Sequence, residues 1–131
     1  MSLSILIGED NFFTSKQYQR ILEKNGHKVT LTHDGDECLK KFFEQKKNND
    51  LMTQSNGIFD IVLVDNNMPK KSGVQVAEEI LNKSPNQRII FASAYDIGSL
   101  LNASEKIKKS VEILKKPFSL NILLSKIQNK K

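Results

Sequence analysis

Phe59-Asp60-Ile61-Val62-Leu63-Val64-Asp65-Asn66-Asn67-Met68-Pro69-Lys70-Lys71-Ser72-Gly73 is the stretch on which the reading of this chain turns. The apolar run Ile61 to Val64 ends abruptly at Asp65, and a turn-rich segment closed by Pro69 and Gly73 follows. Such a pattern predicts a buried strand with a carboxylate at its tip. In an open sheet of parallel strands the ligand crevice lies beyond the carboxyl ends of the strands, so Asp65 is the first residue to consider for chemistry. An Asp after a strand also starts turns through its own side chain, and on this residue alone both readings stand.

Working outward, Leu3 to Ile7 is a nearly continuous apolar run, as in a strand buried on both faces, and Gly8, Glu9, Asp10 and Asn11 end it. Tyr18, Ile21 and Leu22 share one face of a helix predicted from Thr14 to Lys24, which Asn25-Gly26 stops. Lys28 to Thr32 alternates, with Val29 and Leu31 on one side, and reads as an edge strand with one wet face. Asp34 can cap a helix whose buried face is Leu39, Phe42 and Phe43, and the lone Cys38 sits in the same apolar pattern. Lys47 to Gly57 reads as a long surface loop, or as a helix extension followed by a loop.

Beyond the central stretch, Gly73 opens a helix with Val74, Ala77, Ile80 and Leu81 in register, ended near Ser84-Pro85. Arg88 to Ala92 is a second central strand, stopping at Ser93. Ile97, Leu100 and Leu101 mark a fourth, shorter helix, and Val111 to Leu114 the last strand, ended by Lys115-Lys116-Pro117. In the final helix Leu120, Leu123, Leu124 and Ile127 follow the i, i+3, i+4, i+7 spacing, with Ser119 as cap. Five strands alternating with five helices predict a single α/β domain over residues 1–131, its parallel sheet covered on both faces.

Composition narrows the function classes. No apolar run is long enough to span a bilayer and the N-terminus lacks a secretory pattern, so the expectation is a cytoplasmic protein without a membrane partner. The net charge of +5 could suit nucleic acid. Yet the eight lysines against one acid between Lys106 and Lys131 are spread over several elements, without arginine. That pattern reads as a solvated face rather than direct nucleic-acid binding.

Residues at the strand ends carry the chemistry. Glu9 and Asp10 follow the first strand, Asp65 the third, Ser93 the fourth and Lys116 the fifth. If the strands are parallel, all five stand along one edge of the sheet. Three carboxylates crowded together repel, and such a site is relieved by a cation. Hard oxygen ligands without His or Cys favour magnesium or calcium over zinc, and a sparse three-acid set suits magnesium. With a hydroxyl and an ammonium added, the site has partners for a phosphoryl group, and a carboxylate can attack phosphorus to give an aspartyl phosphate. Each residue separately has a structural alternative: Glu9, Asp10 and Ser93 as helix caps, Lys116 as one more surface lysine.

These motifs resemble the receiver domains of two-component response regulators over essentially the whole chain. The resemblance rests on Glu9-Asp10, on Asp65 with Met68-Pro69 and Gly73, on Ser93-Ala94, and on Lys116-Pro117-Phe118. It implies a flavodoxin-like doubly wound fold of strand order 2-1-3-4-5. It implies further that Asp65 is the phosphoacceptor, served by a sensor histidine kinase or phosphotransfer protein. Asp10, Asp65 and the backbone carbonyl of Asn67 would bind Mg2+ directly, with Glu9 acting through water. Ser93 would be the switch hydroxyl, Lys116 the ammonium paired with the phosphoryl group, and the Lys116-Pro117 peptide cis. Such a domain is not an enzyme in the ordinary sense, since it catalyses only its own phosphoryl transfer and slow autodephosphorylation.

One departure stands out: the family often has an aromatic switch residue three positions before the site lysine, where this chain has Ile113. Switching would then use the loop after Ser93 and the fourth helix, or Tyr95. Tyr95 and Asn67 occupy the positions that tune loss of the phosphoryl group in similar proteins, with Tyr95 expected to shield Asp65 from water. The expected partner face carries Lys108, Lys109, Lys115 and Lys126 and suits an acidic downstream protein target or a second receiver in a dimer. No output region follows the final helix, which fits a stand-alone receiver or one excised from a larger regulator. The alternative is a degenerate receiver that binds partners without phosphorylation, which the complete acid, hydroxyl and lysine set disfavours. A haloacid-dehalogenase-type phosphohydrolase needs an Asp where Asn67 stands, and a flavin carrier needs a phosphate-cradling loop after the first strand.

Overall fold

Side-chain alternation along the strands divides the core into two layers. In a computed structural model, which describes residues 2–49, 58–93 and 110–129, the strands are β1 (Ser4–Gly8), β2 (Lys28–Thr32), β3 (Ile61–Asp65), β4 (Ile89–Ser93) and β5 (Val111–Lys115). They pair in parallel in the order β2-β1-β3-β4-β5, the flavodoxin-like arrangement. β3 and β4 are buried along their whole length, as central parallel strands must be. Leu6, Val62, Val64 and Phe91 point to one side, where they meet helices α2 (Gly35–Asn49) and α3 (Gly73–Lys83) through Phe42, Val76 and Ile80. Ile5, Ile7, Leu63 and Ile90 point to the other, against α1 (Phe12–Lys24) and α4 (Leu120–Gln128) through Tyr18, Leu22, Leu123 and Ile127.

Four helices are present among the described residues, and the predicted helix marked by Ile97, Leu100 and Leu101 lies outside them. Helix boundaries follow their caps. α1 begins at Phe12 rather than Thr14 because the Asn11 side chain accepts the Thr14 N–H at 2.8 Å. It stops where Gly26 takes φ 89°, a left-handed conformation that glycine adopts without cost. Asp34 caps α2 by accepting the Glu37 N–H at 2.8 Å. Of the two readings of Lys47 to Gly57, the helix extension holds as far as Asn49. Ser72 and Gln75 close a reciprocal capping box on α3, whose fully buried valine is Val76, with Val74 only partly buried.

The sheet end opposite the strand tips is locked by charge. Arg88, ahead of β4, makes a two-pronged contact with Glu112 on β5, at 2.7 and 3.0 Å. The same guanidinium donates to the carbonyls of Lys126 and Ile127, satisfying the end of α4. Lys126 adds a 3.3 Å ion pair to Glu112. Burial alone would raise the Glu112 carboxyl, but the hydrogen bond and charge of Arg88, followed by those of Lys126, outweigh it and hold the group below its usual 4.5. The resulting stability is fully present above about pH 4.5 and is lost as pH falls through the lower folded value. Urea unfolding should show Glu112→Gln less stable than wild type by about 2 kcal/mol at neutral pH. The gap should close in acid, and a gap that stays constant there contradicts the assignment.

Candidate functional site

Parallel register brings the predicted residues level. Gly8 pairs with Thr32 and Val64, Asp65 with Ala92, and Ser93 with Lys115, so the five tips share one rim. Glu9, Asp65 and Ser93 are buried there, and Asp10 is exposed. Lys116 reaches in from the end of β5, its backbone N–H fixed on the Ser93 carbonyl at 2.8 Å and its peptide to Pro117 cis. The Lys116 Nζ lies 3.1 Å from Glu9 Oε1 and 3.1 Å from Asp65 Oδ2. The other oxygen of each carboxylate accepts a backbone N–H: Asn11 on Glu9 at 3.0 Å, Asn67 on Asp65 at 3.2 Å.

The loop after β3 is shaped to present Asp65. The Gly73 N–H returns to the Asn66 carbonyl at 3.0 Å, and a Cβ on Gly73 would sit 2.8 Å from both the Asp65 carbonyl oxygen and the Asn66 Cα. Only glycine allows that approach. The Lys71 N–H bonds the Pro69 carbonyl at 2.8 Å around Lys70, which adopts φ 72°. This tight turn places a bulky residue in the left-handed region beside the site. The Pro69 carbonyl also accepts from Gly35 at 3.2 Å, and Lys70 pairs with Asp34 at 3.6 Å, tying the loop to the start of α2.

Charge sets the chemistry. Burial pushes the Glu9 carboxyl up, and the neighbouring Asp65 charge adds to this, against the pull of the Asn11 and Lys116 hydrogen bonds. Burial alone would lower the Lys116 ammonium, but its bond to Glu9 and the two carboxylate charges win and raise it. Lys116 therefore stays protonated at neutral pH. Carboxylate oxygens of Glu9, Asp10 and Asp65 lie within 4.8 Å of one another, and this all-oxygen set, free of His and Cys, fits magnesium.

Asn67 is exposed two residues after Asp65, with its backbone N–H turned to that carboxylate. Tyr95, Lys108 and Lys109 lie outside the described residues. Of the other expected partner-face lysines, Lys115 is exposed at the end of β5, whereas Lys126 is engaged with Glu112. Three residues near the site carried no such reading in the sequence. Phe12 and Phe13 follow the acidic loop yet are 64% and 71% exposed, and Tyr18, taken simply as core, packs its ring on Phe118 beside Lys116.

The family pattern described as the response regulator receiver domain matches residues 5–128. The chain belongs to the response regulator receiver family. Receiver domains are signalling domains that carry phosphorylation on an aspartate and bind Mg2+ at an acidic pocket, and the Glu9-Asp10-Asp65 cluster of this chain is consistent with Mg2+ binding. Chemotaxis protein CheY of Treponema pallidum is 31% identical over 108 residues, or 82% of this chain and 64% of that protein. Transcriptional regulatory protein DltR of Streptococcus agalactiae is 29% identical over 132 residues, and this receiver spans only 50% of it. Among solved structures, a receiver domain protein of Clostridium thermocellum superposes with a TM-score of 0.77 at 26% identity, covering 95% of this chain and 90% of that one. A CheX-CheY-BeF3-Mg complex from Borrelia burgdorferi gives 0.75 at 28% identity, with 95% and 86% covered.

The closeness of Gly73 to Asp65 is open to test. Gly73→Ala should cost about 2 kcal/mol in urea unfolding, because the obstructing atoms are backbone and cannot swing away. Unchanged stability contradicts the tight approach.

Proposed function

We propose that this receiver accepts a phosphoryl group on Asp65 from a sensor histidine kinase or phosphotransfer protein and changes its partner-binding face in response. The observation that supports this most directly is the Lys116 ammonium held 3.1 Å from both Glu9 and Asp65, a fixed positive charge beside a buried acceptor carboxylate. In the transfer, an Asp65 carboxylate oxygen attacks the phosphorus of a phosphohistidine. The oxygen–phosphorus bond forms as the phosphorus–nitrogen bond breaks, and the electron pair leaves with the imidazole. Asp10, Asp65 and the Asn67 backbone carbonyl would hold Mg2+ directly and Glu9 through water. When bound, the ion neutralises charge on the phosphoryl oxygens.

This chain's own residues do the rest. Lys116 leaves its ion pair with Asp65 for the phosphoryl oxygens, and the Ser93 hydroxyl turns to a second oxygen, drawing the ends of β4 and β5 inward. Asn67 and Tyr95 set the rate of the slow autodephosphorylation that resets the domain. The modification adds a charge of about −1.5 to −2 at neutral pH, so the state in which Ser93 and Lys116 engage is favoured over the unmodified one. Its readout is an acidic downstream protein or a second receiver, docked on the lysine-bearing side that includes Lys115. Lys126 contributes there through Glu112 rather than as a free charge.

Intact-mass measurement after incubation with Mg2+ and acetyl phosphate tests the reading. Wild type should gain the mass of one phosphoryl group, and Asp65→Asn should not. No gain, or an equal gain in the variant, contradicts it. For the partner face, Lys115→Glu should weaken binding of the acidic partner about tenfold with phosphorylation intact. Unaltered binding moves the interface elsewhere.

A further inference from the structure

We infer that Tyr18 is a positioning residue for Lys116: stacked on Phe118, its ring holds the segment after β5 so that the ammonium reaches both Glu9 and Asp65. The inference rests on the reading of Asp65 as phosphoacceptor and adds a residue to it. Lys116 has somewhere else to go. Its flexible side chain is 25% exposed and borders a cleft of about 420 Å³ between α1 and the β5–α4 connection, walled by Thr14, Gln17, Tyr18, Phe118 and Ser119.

The chain is anchored on either side of this segment. Before it, the Lys116 N–H is bound to the Ser93 carbonyl, and after it Ser119 caps α4 by accepting the Ile122 N–H at 3.1 Å. Between those anchors the Phe118 ring lies over Tyr18, with centroids 5.9 Å apart and planes 21° from parallel. Tyr18 is itself 5% exposed and packed in the layer that holds Leu22, Leu123 and Ile127, so the stack joins the lysine's segment to a rigid part of the core. Burial pushes the Tyr18 phenol up to about 12, and the charges that reach it are those of Lys116, Glu9 and Asp65. The ring thus stands at the boundary between core and site.

A double-mutant cycle on the full chain separates positioning from simple packing. With saturating Mg2+ and acetyl phosphate, Tyr18→Ala should take up the phosphoryl group about tenfold more slowly than wild type, and Tyr18→Phe, which keeps the stack, within about twofold. In a Lys116→Ala background the Tyr18→Ala change should slow the reaction no further. A loss of equal size in that background, or a wild-type rate in Tyr18→Ala, overturns the role. If Tyr18→Ala does not fold, Tyr18→Leu fills more of the buried space without a ring to stack and is read the same way. The ammonium nitrogen resonance of Lys116, recorded without any donor, should move in Tyr18→Leu and stay in Tyr18→Phe. An unmoved resonance in Tyr18→Leu rejects the positioning role whether or not Asp65 accepts a phosphoryl group.

Discussion

The Lys116 ammonium, 3.1 Å from Glu9 and from Asp65, offsets the repulsion among three carboxylates whose oxygens lie within 4.8 Å of one another. At an effective dielectric constant of about 20, two unit charges at that separation repel by about 3 kcal/mol. A stack of carboxylates at the tips of adjacent strands would therefore work against the sheet that carries them. One ammonium cannot balance three acids, and burial leaves Glu9 reluctant to ionise. The pocket retains an excess of negative charge that suits a divalent cation, and under the proposed function a phosphoryl group would add to that excess. In the proposed function, the electrostatic tension at the rim and the reactivity assigned to Asp65 have the same origin.

The fold assigns different tasks to the two ends of the sheet. At one end the Arg88-Glu112-Lys126 network closes β4, β5 and α4 together, and His27, at the start of β2, accepts the Leu3 N–H at 3.1 Å and meets Gln128 at 3.1 Å. At the other end the backbone departs from regular structure. The tight turn at Lys70 and the glycine approach at Gly73 shape the loop that presents Asp65, and the peptide before Pro117 is cis. α4 spans both, pinned at its C-terminus by Arg88 and joined at its N-terminus to α1 by the stack of Phe118 on Tyr18. The displacement of Lys116 that the proposed function requires would act against a helix whose far end is held by Arg88.

Most of this architecture is legible in the chain because two-sided burial leaves an unmistakable trace. Ile61 to Val64 and Ile89 to Ala92 are apolar throughout, and the polar residues that end such runs fall at strand tips by necessity. Glu9, Asp65 and Ser93 are readable as strand-tip residues for that reason, whereas Lys116 follows the half-buried edge strand β5 and is marked instead by the Lys-Pro that ends it. Where the fold overrode the pattern, the causes are local. Phe12 and Phe13 belong to α1 although exposed aromatics do not mark a helix face, and only the Asn11 cap reveals the start. Val76 rather than Val74 is the fully buried valine of α3, on the face it shares with Ala77, Ile80 and Leu81. Lys126 resembles any surface lysine until Glu112 is seen beside it, and the bearing of Tyr18 on Lys116 depends on a contact a hundred residues away in sequence.

An acyl phosphate is reduced by borohydride to the corresponding alcohol, so a phosphorylated aspartate becomes homoserine at its own position in a peptide map. Mapping the acetyl-phosphate-treated, borohydride-reduced protein therefore tests most directly whether the balance of charge around Lys116 makes one particular carboxylate the acceptor. The account predicts homoserine at position 65 and at no other. Reduction at Glu9 or Asp10, or on carboxylates remote from the rim, would contradict it.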